Sequence, residues 1–176
     1  MSSTAEPGAR SAAVLTVSDS VVAGSRQDGS GPAVAAALEK AGYQVVVREA
    51  VPDERNHIEN ALVRLCEQAR LVVTTGGTGV ATRDVTPEAT LSVCDREVPG
   101  IGQRMRAEGM KKTPLAALSR AICGTRGACL VLNLPGSPRG ATESLAAVID
   151  VLPHALDLLA GKTAHSDASQ GSPYQE

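Results

Sequence analysis

Apolar and polar positions follow two rhythms along the first half of the chain. Ala12–Ser18 (AAVLTVS) is a short apolar run with β-branched residues and fits a buried strand. Ser30-Gly31-Pro32 opens a segment in which Val34, Ala37, Leu38 and Ala41 share one helical face, and Gly42 ends it. Tyr43–Val51 reads as a second strand. Asp53 then stands where an N-cap belongs, before a helix striped by Ile58, Ala61, Leu62, Leu65 and Ala69. Leu71–Thr75 is a third strand. Strand and helix alternating in this way predict a parallel sheet covered by helices.

The second half is less regular. Thr86-Pro87, Thr113-Pro114 and Ser137-Pro138 each pair a capping hydroxyl with proline at the first helical position. Ala121–Thr125 and Ala128–Leu134 lie either side of Arg126-Gly127 and read as a hairpin. The last helical stretch runs to about Ala160, with Pro153 as a break or kink and Gly161 as the stop. The expected architecture is a single three-layer α/β domain: a mostly parallel sheet, one antiparallel edge and helices on both faces. Residues 11–162 form that domain. Residues 1–10 and 163–176, rich in Ser, Gly, Pro, Ala and Gln, read as disordered tails.

Composition narrows the function. The 176 residues carry 17 Lys and Arg against 19 Asp and Glu, a net charge of −2, which gives no general drive toward nucleic acid or an anionic membrane. Phe and Trp are absent and Tyr43 and Tyr174 are the only aromatic residues, so stacking on single-stranded nucleic acid is excluded and the core is aliphatic. The polar N-terminus lacks the apolar centre of a signal peptide, and no apolar run approaches the ~20 residues that span a bilayer. A cytoplasmic protein is expected. Cys66, Cys94, Cys123 and Cys129 show no CxxC pairing, and His57, His154 and His165 show no HxxxH spacing, so buried thiols and solvated imidazoles are favoured over a zinc site.

Ligands of open parallel sheets bind beyond the carboxyl ends of the strands. Four segments arrive there: Ser18-Asp19, Pro52-Asp53-Glu54, Thr74–Gly79 and Asn133–Pro138. Thr74-Thr75-Gly76-Gly77-Thr78-Gly79 is the most informative, placing three glycines and three hydroxyls directly after an apolar strand. Such a turn serves either as a tight loop or as a phosphate cradle, and the hydroxyls favour the cradle. It is neither a Walker P-loop nor a GxGxxG fingerprint. Asp84 either favours the positive end of a helix or holds Mg²⁺ beside a phosphate on the glycine turn. Asp53 reads first as a helix cap. Arg83 and Arg139 could neutralise phosphates. The Asn133–Pro138 turn presents the N-terminus of the last helix as a second anion site. Ser119 offers a hydroxyl with no acid–base partner visible in sequence, and no Ser-His-Asp pattern occurs.

Several motifs carry the reading further. Thr74-Thr-Gly-Gly-Thr-Gly79, Arg83-Asp-Val-Thr-Pro87 and Asn133-Leu-Pro-Gly-Ser-Pro138 resemble the molybdopterin adenylyltransferase family of molybdenum-cofactor biosynthesis. Thr16-Val-Ser-Asp19, Asp28-Gly-Ser-Gly-Pro32, Val51-Pro-Asp-Glu54, Pro99-Gly-Ile-Gly102 and Leu118-Ser-Arg120 extend the resemblance collinearly over about residues 11–162. It implies an enzyme that activates molybdopterin with ATP and Mg²⁺, giving adenylyl-molybdopterin and pyrophosphate. By motif, Asp53 and Asp84 would be the catalytic, metal-organising carboxylates. Ser18, Asp19, Thr75, Gly76, Gly77, Thr78 and Gly79, with Asn133, Pro135, Gly136 and Ser137, would line the nucleotide and pterin pocket, and Ser119 would face the pterin. The resemblance further implies a homotrimer that hands its product to a molybdenum insertase. The alternative within the pathway is a non-catalytic molybdopterin carrier. On the residues alone, a nucleotide-binding regulatory domain also fits.

Overall fold

The structure, a computed structural model, describes residues 7–162. β1 (Ser11–Val17) is buried along its whole length and lies between β2 (Gln44–Val51) and β3 (Leu71–Thr75), parallel to both. β3 pairs in parallel with β6 (Cys129–Leu134), from Leu71 opposite Leu130 to Thr75 opposite Leu134. β5 (Cys123–Arg126) runs antiparallel to β6 and to the two-residue β4 (Arg96–Glu97). The sheet order is β2-β1-β3-β6-β5-β4. The predicted hairpin and antiparallel edge are both present.

Side-chain alternation divides the core between the two faces of the sheet. Ala12, Val14, Leu71, Val73, Leu130 and Leu132 face α2 (Ser30–Lys40), α5 (Pro99–Met110), α6 (Pro138–Ala146) and α7 (Leu152–Leu159). Ala13, Leu15, Val17, Val72 and Val131 face α3 (Arg55–Gln68) and α4 (Thr86–Val93). The stripe read from sequence is the buried stripe of α3: Ile58, Ala61, Leu62 and Leu65. Each such leucine, fully withdrawn from water, contributes roughly 1.5–3 kcal/mol.

Asp53 does not cap α3; Glu54 holds the N-cap position and no side chain makes the cap hydrogen bond. Thr86 is not a cap either, because Val85 is the N-cap and Thr86 is the first, fully buried residue of α4. Thr113 and Ser137 do cap, accepting from the Leu115 and Gly140 amides. The final helical stretch is two helices, and Pro153 stands in the first turn of the second. Asp28 fastens α2 to β1, accepting from the Gly31 amide at 2.9 Å and from the Thr16 hydroxyl at 2.7 Å. Of the segments read as tails, residues 9–10 form a turn, with Arg10 over the Tyr43 ring, whereas 1–6 and 163–176 lie outside the described residues.

β2 and β3 flank β1 on opposite sides although the chain runs β1, β2, β3. The connections therefore diverge at the carboxyl ends of β1 and β3, and a crevice opens there.

Candidate functional site

The floor of that crevice is the turn after β3. Gly76 has φ +94°, and a Cβ there would overlap the Val17 carbonyl, so this close approach of β3 to β1 requires glycine. Its amide donates to the Leu134 carbonyl at 3.1 Å and its carbonyl accepts from the buried Thr86 hydroxyl at 2.9 Å. Gly77 follows at φ +65°, where a Cβ would overlap that same hydroxyl and come within 3.4 Å of Asp53 Oδ1. The turn is fixed at once by β1, β6 and α4.

Asp53 and Asp19 interlock across this floor. The Asp19 amide donates to Asp53 Oδ2 at 2.8 Å, and the Asp53 amide donates to Asp19 Oδ1 at 3.0 Å. Arg83 completes the arrangement with a two-pronged contact to Asp19 at 2.7 and 3.0 Å. These partners separate the two acids electrostatically. The Arg83 guanidinium, followed by the Asp53 amide, holds the Asp19 carboxyl below its usual range. Burial pushes the Asp53 carboxyl up, and the Asp19 and Asp84 charges add to that rise against the Asp19 amide and Arg83. Asp84 closes the far side of the turn. It accepts from the Ala81 amide at 3.0 Å, and its Oδ2 lies 2.8 Å from where a Gly79 Cβ would be.

A cleft of about 910 Å³ opens from this floor. Gly77, Thr78, Gly79 and Asp84 line one end, and Pro135, Gly136 and Ser137 line the adjoining wall. Leu118 and Ser119 also line the cleft, and Arg104, Arg106 and Lys112, along α5 and just beyond it, are accompanied there by Glu108 and Glu143, with Arg104 paired to Asp150 and Lys112 to Glu143. Gly136 permits the Pro135–Ser137 turn to sit against the glycine turn, since a Cβ there would lie 3.3 Å from the Gly76 Cα.

Other predicted site residues lie behind the cleft. Asn133 is fully buried, donating through Nδ2 to the Thr74 and Thr90 hydroxyls at 3.0 and 2.9 Å, and so braces β6 against β3 and α4. The Thr75 hydroxyl bonds that of Ser30 at 2.9 Å inside the core. The Ser18 hydroxyl caps the short α1 (Asp19–Val22), accepting from the Val21 amide at 3.3 Å. These three side chains shape the site from behind. The α5 wall lies outside the predicted site; Arg104, Arg106, Lys111 and Lys112 stand out in the sequence as a local positive cluster, but Glu108 and Glu143 pair with the two lysines. Arg120, also unassigned by the sequence reading, donates to the Gly79 and Asp84 carbonyls at 2.6 Å each and pairs with Glu88. Burial of Glu88 opposes its ionisation, but the Arg120 hydrogen bond holds its carboxyl below the usual range.

The cysteines stand away from this cleft: burial pushes the Cys94 and Cys123 thiols up to about 12. Among the described residues, no group of three or more His, Cys, Asp or Glu side chains is arranged to hold a metal ion, and no helix is long and apolar enough to cross a membrane. Chemically, the cleft combines a glycine turn, the Asp84 carboxylate with Asp53 just behind Gly77, and a wall in which Arg104, Arg106 and Lys112 stand among Glu108 and Glu143, a set suited to a phosphate-bearing ligand accompanied by a divalent cation.

Comparison with known proteins agrees with this chemistry. Residues 13–154 match the family model described as a probable molybdopterin binding domain. The molybdopterin adenylyltransferase of Helicobacter pylori is 43% identical over 152 residues, covering 84% of this chain and 86% of the relative. That of Haemophilus influenzae is 45% identical over 141 residues, covering 78% and 72%. The crystal structure of the molybdopterin biosynthesis enzyme MoaB of Thermus thermophilus superposes with a TM-score of 0.81 at 50% identity, covering 86% of this chain and 97% of that one. The family model spans most of the chain, and the relatives match it over most of their own length: this protein belongs to the molybdopterin-binding-domain family of molybdenum-cofactor biosynthesis.

Proposed function

We propose that the chain is a molybdopterin adenylyltransferase, acting in the cytoplasm through its single domain of residues 11–162. One observation carries the reading: Asp53 and Asp84 flank a glycine turn at the foot of a cleft large enough for a nucleotide and a pterin, in a chain 43% identical to a molybdopterin adenylyltransferase. The terminal phosphate oxygen of molybdopterin attacks the α-phosphorus of ATP. A new P–O–P bond forms, the α–β bridging bond breaks, and pyrophosphate leaves. Such a transfer depends on positioning and charge neutralisation more than on covalent help from the protein.

Mg²⁺ fits the donor set. It takes one or two carboxylates from a protein and completes its shell with phosphates and water. The Asp53 carboxyl, raised by burial and further by the Asp19 and Asp84 charges, also gains from a nearby cation. Asp53 and Asp84 would hold it, and when bound it would neutralise charge developing on the phosphates. The glycine turn cradles the nucleotide phosphates, the Pro135–Ser137 turn forms the adjoining wall, and Ser119 faces the pterin. The active assembly is a homotrimer that passes adenylyl-molybdopterin to a molybdenum insertase; light scattering showing a monomer at micromolar concentration would remove the trimer.

The test is turnover with ATP, Mg²⁺ and molybdopterin, measured as adenylylated pterin, for the wild type and Asp84→Asn. The substitution keeps size and removes charge, so transfer should fall by ~100-fold or more. Pterin affinity should change by less than about tenfold. Binding without turnover in the wild type identifies a carrier instead. Full turnover by a folded Asp84→Asn removes the catalytic assignment of that residue.

A further inference from the structure

We propose that Arg120 is a positioning residue for the transfer, holding the Gly79–Asp84 segment so that the Asp84 carboxylate stays beside the glycine turn. The inference rests on the role given to Asp84 above. Asp84 sits on an exposed loop: residues 80 to 83 are all exposed, and Val80 presents its apolar side chain to solvent. The Ala81 contacts are internal to the loop: the Asp84 amide donates to the Ala81 carbonyl at 2.9 Å, and the Ala81 amide donates back to the carboxylate at 3.0 Å. Such contacts fix the shape of the loop but not its place on the molecule.

Arg83 ties the exposed part of the loop to Asp19, and Arg120 supplies the anchor from outside the loop at its two ends. Its amide donates to the Thr78 carbonyl at 2.8 Å, its Nε to the Gly79 carbonyl at 2.6 Å and one terminal nitrogen to the Asp84 carbonyl at 2.6 Å. The guanidinium therefore spans the two ends of the segment. The other terminal nitrogen bonds Glu88 in the first turn of α4, and this pair sets the plane of the fork. Glu88 is well placed for this, because a carboxylate is favoured at a helix N-terminus. A planar fork with several fixed donors can bridge separated acceptors; a lysine ammonium, a point charge on a flexible stem, cannot. The anchored carbonyls belong to the loop bearing Asp84, so loosening them moves the reacting geometry before it moves the core.

The experiment compares Arg120→Lys, Arg120→Ala and Glu88→Gln with the wild type and Asp84→Asn, at a temperature where circular dichroism shows each protein fully folded. Arg120→Lys should lower kcat by roughly 10- to 100-fold, the scale of a small misplacement of a reacting group. KM for molybdopterin should stay within about threefold, since a positioning loss acts on the transition state and not on pterin binding. Glu88→Gln should lower kcat less, because it keeps an acceptor for Arg120. Millimolar guanidinium should restore part of the activity of Arg120→Ala and none to Asp84→Asn. The proposal is overturned if folded Arg120→Lys keeps wild-type kcat, if the loss lies wholly in KM, or if guanidinium restores nothing. If Arg120→Ala does not fold, Arg120→Lys and Glu88→Gln decide by the same kcat-against-KM division. Unchanged turnover in Asp84→Asn overturns the reading beneath; lost turnover there with unchanged Arg120→Lys overturns the positioning role alone.

Discussion

Gly77→Ala tests whether the turn after β3 is fixed by the fold or only by its ligands. Two penalties follow from the geometry. Gly77 has φ +65°, a region that raises an alanine by about 1–2 kcal/mol. The new Cβ would also overlap the Thr86 hydroxyl, with the Thr86 Cβ at 3.3 Å behind it. Thr86 is fully buried in the first turn of α4, so its side chain has to rotate, breaking its 2.9 Å bond to the Gly76 carbonyl. Stranding a buried acceptor adds about 1–3 kcal/mol. Together the loss should be about 2–5 kcal/mol. The chain has no Trp, so urea unfolding is followed by far-UV circular dichroism. Thr86→Ala supplies the control: it removes the overlapping hydroxyl and already sacrifices the hydrogen bond. The double variant should therefore be more stable than the sum of the single losses predicts, by the doubly counted hydrogen-bond penalty of about 1–3 kcal/mol. A Gly77→Ala loss under ~0.5 kcal/mol, or strict additivity with Thr86→Ala, would refute the steric account.

Two further outcomes bear on the same region. The Asp53 carboxyl is raised in the folded protein by burial, so wild-type stability falls as pH rises through its folded value, and Asp53→Asn escapes that loss. The variant should melt higher than the wild type at pH 7, by a margin that shrinks towards pH 3 while adenylyl transfer is lost; a margin independent of pH would contradict the assignment. Ser137→Ala removes the cap of α6 and should reduce stability by about 1 kcal/mol, read from the urea midpoint, with no change there excluding the capping role.

Periodicity made β1, β3, α2 and α3 legible, because each buries a face or its full length. It gave nothing for α1, a four-residue turn with no buried residue, or for β4, two exposed charged residues. α5 was hidden for a different reason. Gly100, Gly102 and Gly109 depress its helix propensity, and only Ile101, Gly102 and Met105 are buried along it. Packing against β5 and the 3₁₀ turn Pro114–Leu118 makes it a helix, and that is tertiary information. The site shows the same division. The glycine turn announced itself because glycine clusters have a direct backbone meaning. The role of Asp53 did not: an acid just before a helix satisfies the rule for a cap, yet its partner is the Asp19 amide, 34 residues away. Arg120 belongs to the Leu118-Ser-Arg120 motif, but its acceptors are backbone carbonyls that sequence cannot place.

The departures from local rules gather at one place. Gly76 and Gly77 hold positive φ against neighbours that leave no room for a side chain. Asp53 is an acid whose burial works against its own charge, with two further acids beside it. Gly76 and Gly77 follow β3 and Asp53 follows β2, and all three meet at the carboxyl end of β1, where the connections diverge. A fold selected for stability alone would relieve Asp53 with a neutral side chain. Keeping the charge makes sense where a bound cation neutralises it, so that binding of substrate with its metal repays a folding loss that the free protein carries. On this argument Asp53→Asn should be the more stable protein when free, and the wild type should close or reverse that gap when ATP and Mg²⁺ are present. Melting curves of both proteins with and without the two ligands measure the crossing directly. A gap unmoved by them would mean that the charge at Asp53 serves the fold and not the reaction.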